Sequence, residues 1–106
     1  MDLTNIVYNF SDNTVNSLYE NKYYKIPVVS NMATIKTELD TATGVTLAVA
    51  VVQYKDNLTV PRIVVSDGTE GEQPDPLLLS EITQDLTDEL AIARTEVETE
   101  INNQLP

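Results

Sequence analysis

Cysteine, histidine and tryptophan are all missing from this chain of 106 residues, and their absence removes most of the usual chemistry. Without cysteine there is no disulfide framework, no thiolate nucleophile and no thiolate metal site, and the redox compartment cannot be read. Without histidine the commonest general acid–base group and the commonest zinc ligand are gone, and Ser-His-Asp catalysis is impossible. Only three glycines are present, Gly44, Gly68 and Gly71, and no phosphate-cradling glycine loop can be built from their spacing. Paired carboxylates remain as a catalytic device, but they work in deep clefts usually lined with aromatics, and 6% of this chain is aromatic. The chain is therefore read as non-enzymatic: no catalytic residue, no cofactor and no metal ion are expected.

Long apolar runs are also lacking. The longest, VTLAVAVV from Val45 to Val52, falls far short of the roughly 20 residues that a membrane helix needs. The opening MDLTNIVYNFSDN carries an acid at Asp2 and neither a basic nor an apolar leader region, so no secretory signal is expected. An apolar fraction of 42% is enough for one folded domain without a metal or disulfide.

Basic residues are scarce and unevenly opposed. Residues 1–66 hold six acids against Lys22, Lys25, Lys36, Lys55 and Arg62, a balance of −1, whereas residues 67–106 hold eleven acids against Arg94 alone, a balance of −10. Phosphate backbones and anionic membrane surfaces both demand cations, so neither direct nucleic-acid binding nor membrane binding is expected. The electrostatic match for such a chain is protein with a basic surface.

Along the chain, Ile6, Tyr8 and Phe10 fit strand alternation, while Leu3, Ile6, Val7 and Phe10 fit helical spacing equally well. After a turn or cap at Ser11-Asp12-Asn13, Val15, Leu18 and Tyr19 recur as on a short helix. KYYKIPVVS, broken by Pro27, reads as an edge strand. Residues 32–40 fit either a helix buried through Met32, Ile35 and Leu39 or a strand; their threonines and the turn-like Asp40-Thr41-Ala42-Thr43-Gly44 favour the strand. Val45 to Tyr54 is β-branched and free of glycine and proline, Lys55-Asp56-Asn57 supplies a turn, and Thr59 to Ser66 returns as the second arm of an antiparallel hairpin.

Asp67 to Pro76, DGTEGEQPDP, reads as an acidic linker. Its Asp67, Glu70, Glu72 and Asp75 are hard oxygen ligands, but their spacing is not that of a calcium loop and nothing pre-organises them. From Leu77 to about Gln104 the chain reads as one helix, started by Asp75-Pro76. Its apolar positions step by 3, 4, 4, 3, 4, 4 through Leu79, Ile82, Leu86, Leu90, Ala93, Val97 and Ile101. That eleven-residue period lies close to a straight helix and argues against a left-handed coiled coil. At about 1.5 Å per residue the helix would reach about 42 Å, longer than a domain of this size is wide, so it overhangs its domain, bends, or packs against another subunit, and contact with a subunit or partner is the favoured reading. Like-charged pairs such as Glu81/Asp85, Asp85/Glu89 and Glu96/Glu100 weaken it, whereas Arg94/Glu98 supports it.

The expected fold class is α+β: an antiparallel sheet centred on residues 45–66 and a long C-terminal α-helix over about 77–104. The expected organisation is one domain, with a mixed region over 1–66, a linker over 67–76 and the acidic amphipathic helix over 77–106. The expected interface comprises Tyr23 and Tyr24, flanked by lysines, and the helix stripe Ile82, Leu86, Leu90, Ala93, Val97 and Ile101.

The strand pair VTLAVAVVQYKDNLTVPRIVV, in a short, acidic, Thr/Val/Asn-rich chain without histidine or cysteine, resembles the small structural proteins of tailed bacteriophage particles. That resemblance is one of composition and carries no residue roles across. It implies a virion accessory component, decorating a capsid or sitting at a head or tail junction, in a homo- or hetero-oligomeric assembly, with the virion or the host cytoplasm as location. Two further readings use the same residues: an acidic inhibitor that imitates nucleic acid in a basic cleft, and an adaptor that lays its apolar helix stripe in a partner's groove.

Overall fold

The computed structural model describes residues 3, 5–27, 29–54, 62–68, 77 and 81–106. The fold is α+β: a five-stranded antiparallel sheet and two helices, the second long and C-terminal. The strands are β1 (Asn5–Asn9), β2 (Thr14–Tyr19), β3 (Lys22–Ile26), β4 (Val49–Gln53) and β5 (Arg62–Ser66), and the helices are α1 (Met32–Thr43) and α2 (Gln84–Gln104). In space the strands run β3-β2-β1-β4-β5, so the expected hairpin β4–β5 forms one side of the sheet and the N-terminal meander the other.

The register lines up two inward rows across all five strands. One runs Tyr24, Ser17, Ile6, Val52, Ile63; the other runs Ile26, Val15, Tyr8, Ala50, Val65. Both helices pack on this face, closing a core with Met32, Ile35 and Leu39 from α1 and Leu86, Leu90, Ala93, Val97 and Ile101 from α2. Each strand alternates inward and outward, so the opposite face of the sheet carries no helix among the described residues.

Four expectations change. The segment Val15, Leu18, Tyr19 is strand β2, not a helix: Val15 points inward and Leu18 outward, and the strand is paired on both sides. Residues 32–40 belong to α1, not to a strand. Their helix face is the one that Met32, Ile35 and Leu39 bury. The threonines that favour a strand are accommodated within the helix, since Thr37 and Thr43 hydroxyls donate to the carbonyls of Ala33 and Leu39 at 3.0 and 2.9 Å. The apparent turn at 40–44 is the helix's end: Gly44 adopts φ 75°, its N–H donates to the Asp40 carbonyl, and a side chain there would be strained.

The long helix is also shorter than expected. It starts at Gln84, after Thr83, whose hydroxyl accepts from the Leu86 N–H at 3.1 Å. Leu77 instead donates its N–H to the Ile63 carbonyl on the outer edge of β5. The proposed cap at Asp75-Pro76 and the apolar position Leu79 lie outside the described residues. With 21 residues α2 is about 31 Å long, and it fits inside the 41 Å longest extent of the molecule. The overhang that pointed to a second subunit is not there.

Both sheet edges meet other parts of the chain. Besides Leu77 at β5, the Gln104 side chain donates to the Lys25 carbonyl on β3 at 3.0 Å. Such contacts discourage strand-to-strand association. No helix among the described residues is long and apolar enough to cross a membrane.

Candidate interaction faces

The expected interface residues separate into different parts of the molecule. Leu86, Leu90, Ala93, Val97 and Ile101 are at most 1% exposed within the chain's own core, and Ile82 is half-buried against that core. A helix that used this stripe to fill a partner's groove would have to leave the sheet, so the adaptor reading loses its contact surface. Tyr23 and Tyr24 divide because neighbours on a strand face opposite ways. Tyr24 lies on the inner side, with its ring 6.4 Å from that of Tyr19 and Lys22 Nζ 5.0 Å above it. Tyr23 points to the outer side and is 58% exposed.

That outer side is the surface the sequence reading passed over. Its central row runs Lys25, Asn16, Val7, Val51, Val64 across the five strands, and the neighbouring row runs Tyr23, Leu18, Asn5, Gln53, Arg62. Three valines therefore sit side by side at the middle, with neutral amides around them and a cation at each of two outer positions. No residue of the described strands is a carboxylate, in a chain with 17 acids. A signal for this face was present in the run VTLAVAVV, which is apolar at both strand parities. A strand of that kind has both faces covered, and the described helices take one of them.

The helical layer has the opposite character. Outward from α2 point Asp85, Asp88, Ile92, Thr95 and Thr99, with Ile92 50% exposed. Two other acids turn toward α1. The Glu96 carboxylate accepts from the Ser30 N–H at 3.2 and 3.3 Å and from the Ser30 hydroxyl at 2.9 Å. Glu89 accepts from the Asn31 amide through its carboxylate at 2.7 Å and its backbone carbonyl at 2.8 Å. Asn31 precedes α1 without capping it through its own side chain, so these carboxylates stand at the positive end of α1 in its place. The expected Arg94–Glu98 pair forms at 3.4 Å, and the Arg94 guanidinium also lies 4.4 Å above the Tyr54 ring.

Tyr8 is the most unusual buried group. Its hydroxyl, like that of Ser17, is fully enclosed and finds no hydrogen-bond partner among the described residues. Burial above all, then the nearby Tyr54 and Glu96, push its pKa far above the ordinary 10.0, so it stays protonated at neutral pH and is no base. Tyr54 is also raised, by burial, with Arg94 opposing the shift. Among the described residues no three acids group as a metal would require; of the four candidate calcium ligands only Asp67 is described. Comparison with protein-family models, curated proteins and solved structures finds no match.

Proposed function

We propose that this chain is a non-catalytic assembly subunit that binds other protein through the outer face of its sheet. The observation that carries the reading is the valine row Val7, Val51, Val64, apolar and free of acids on the side opposite the helices. An apolar centre ringed by neutral polar groups is the anatomy of a protein interface. The partner surface that suits it is polar to acidic at its margin, because Lys25 and Arg62 are the face's charges. A tailed-phage virion, in its shell or at a connector junction, is the assembly to examine first, on the compositional resemblance.

The competing nucleic-acid mimic needs a continuous row of free carboxylates. On α2 two of them, Glu89 and Glu96, are engaged at α1, and Ile92 interrupts the outward stripe. Sedimentation of particles from the native source, with the chain tracked by mass spectrometry, separates the two readings. An assembly subunit stays with the particle at high salt, and a Val51→Glu form fails to incorporate. Release into the light fractions by modest salt would overturn the assembly reading and favour a charge-driven inhibitor.

A further inference from the structure

We infer that the occupant of the outer sheet face is the acidic side of α2 from a second copy of this chain, so that subunits join head to tail. The inference rests on the docking reading above and names its partner. The sequence calls for a partner with a basic surface, and the outer face of the described strands presents one: its charged residues are Lys25 and Arg62, both cations. The outward stripe of α2 offers the complement, two carboxylates at Asp85 and Asp88 followed by the exposed Ile92.

The spacings agree. On a helix Asp88 and Asp85 lie about 6 and about 10 Å from Ile92 along the axis. On the sheet Arg62 is one strand across and two residues along from Val51, about 8 Å away. Ile92 set on Val51 therefore brings both carboxylates to the Arg62 corner. The two surfaces are different, so the contact is heterologous and propagates into a ring or an open filament. A sheet-to-sheet pairing would instead put cations of one copy among those of the other, with no acid on either side.

The area sets the strength. Five strands of five or six residues offer about 24 by about 16 Å, roughly 400 Å² a side, against about 800 Å² per partner in a standard interface. A single contact is therefore weak, and assembly grows with concentration or with many contacts made together.

Sedimentation velocity of the purified full chain, at low salt and up to millimolar concentration, tests this with Val51→Glu and Ile92→Glu. Both changes sit outside the core, and circular dichroism checks that each variant is folded. The wild type is expected to associate into species beyond a dimer. Each variant alone is expected to stay monomeric. Mixed together they are expected to form a one-to-one dimer and stop there, because each retains the half that the other has lost. Association of Ile92→Glu alone would reveal sheet-to-sheet pairing, and association of Val51→Glu alone helix-to-helix pairing; either overturns the proposal. A wild type that stays monomeric throughout overturns it as well. In that case retention of the wild type in native particles, with loss of Val51→Glu, would still leave the outer face as the docking site for a different protein.

Discussion

The sheet and the helical layer divide this molecule's charge between them. The described strands hold cations and no acid, while α2 by itself holds Asp85, Asp88, Glu89, Glu96, Glu98 and Glu100 against Arg94. Their outer surfaces differ in the same sense. The outward side of α2 is polar but for Ala91 and Ile92, as a helix facing water should largely be, whereas the outward side of β1, β4 and β5 centres on valine. The inner faces of both layers are equally apolar and form one core. What sets the layers apart is therefore the outward side of each: among the described residues the helix turns mainly polar and charged groups outward, and the sheet a row of valines.

The strongest way to break that contrast is to compare an inner residue of one layer with an outer residue of the other. Leu90, fully buried on α2, is expected to cost about 3 kcal/mol as Leu90→Ala. Val51, apolar but on the outer face, is expected to cost about 1 kcal/mol or less as Val51→Glu. Urea unfolding of the two variants checks this. Comparable losses would mean that the outer valines belong to the chain's own core, and the docking reading would lose its basis.

Next in size is the acid that the fold uses. Glu96→Ala removes the acceptor for the Ser30 N–H and hydroxyl at the start of α1 and is expected to cost about 1 kcal/mol, the usual loss for a missing cap. Glu96→Gln keeps an oxygen acceptor and is expected to recover part of it. If both variants were as stable as the wild type in urea, the carboxylates on α2 would all be surface charge and the distinction between engaged and free acids would vanish.

Much of the sheet was legible from the sequence, and its failures have physical causes. The β4–β5 hairpin declared itself through a β-branched run bounded by a turn. Strand β2 did not, because its inward positions are Val15, Ser17 and Tyr19: the buried Ser17 breaks the apolar alternation and leaves a false helical spacing from Val15 to Leu18 and Tyr19. Its hairpin to β3 was equally hidden. Glu20 and Asn21 both take positive φ, 49° and 65°, the two-residue turn that normally advertises itself as Asn-Gly. For α1 the correct helix face was visible, but threonine content outweighed it, and the hydroxyl bonds back to the helix carbonyls are a local compensation that propensity does not register. The candidate site was missed because apolar residues at both parities of β4 describe a strand covered on two faces, and a sequence does not say which of those faces the described helices take.

A gain in stability is expected where the core conflicts with itself. Tyr8 and Ser17 enclose hydroxyls without partners among the described residues, and a buried group left unbonded is unfavourable. Tyr8→Phe is expected to leave stability unchanged or raise it by up to about 1 kcal/mol. The same tyrosine also sets an alkaline limit. Its folded pKa is raised above the ordinary 10.0, so the unfolded chain releases that proton first as pH rises. The stability is fully present below about pH 10 and is lost progressively above it. In urea unfolding at increasing pH, wild type is expected to weaken above about pH 10 more steeply than Tyr8→Phe. Equal slopes would remove Tyr8 from the account.

The smallest effect concerns an acid the fold does not need. Glu100 lies near the C-terminal end of α2, which has no basic residue in its last turn, and it is four residues from the carboxylate of Glu96. The helix dipole and the like charge both oppose it, so Glu100→Gln is expected to raise stability by roughly 0.3 kcal/mol. The sign matters more than the size. A gain means that this carboxylate stands against the helix's own interest, and because Glu100 lies off the stripe of Asp85, Asp88 and Ile92 the same variant should leave self-association unchanged in the sedimentation test. A loss of stability would show that Glu100 serves the fold instead, which would put it beside Glu96 among the acids that the helical layer uses.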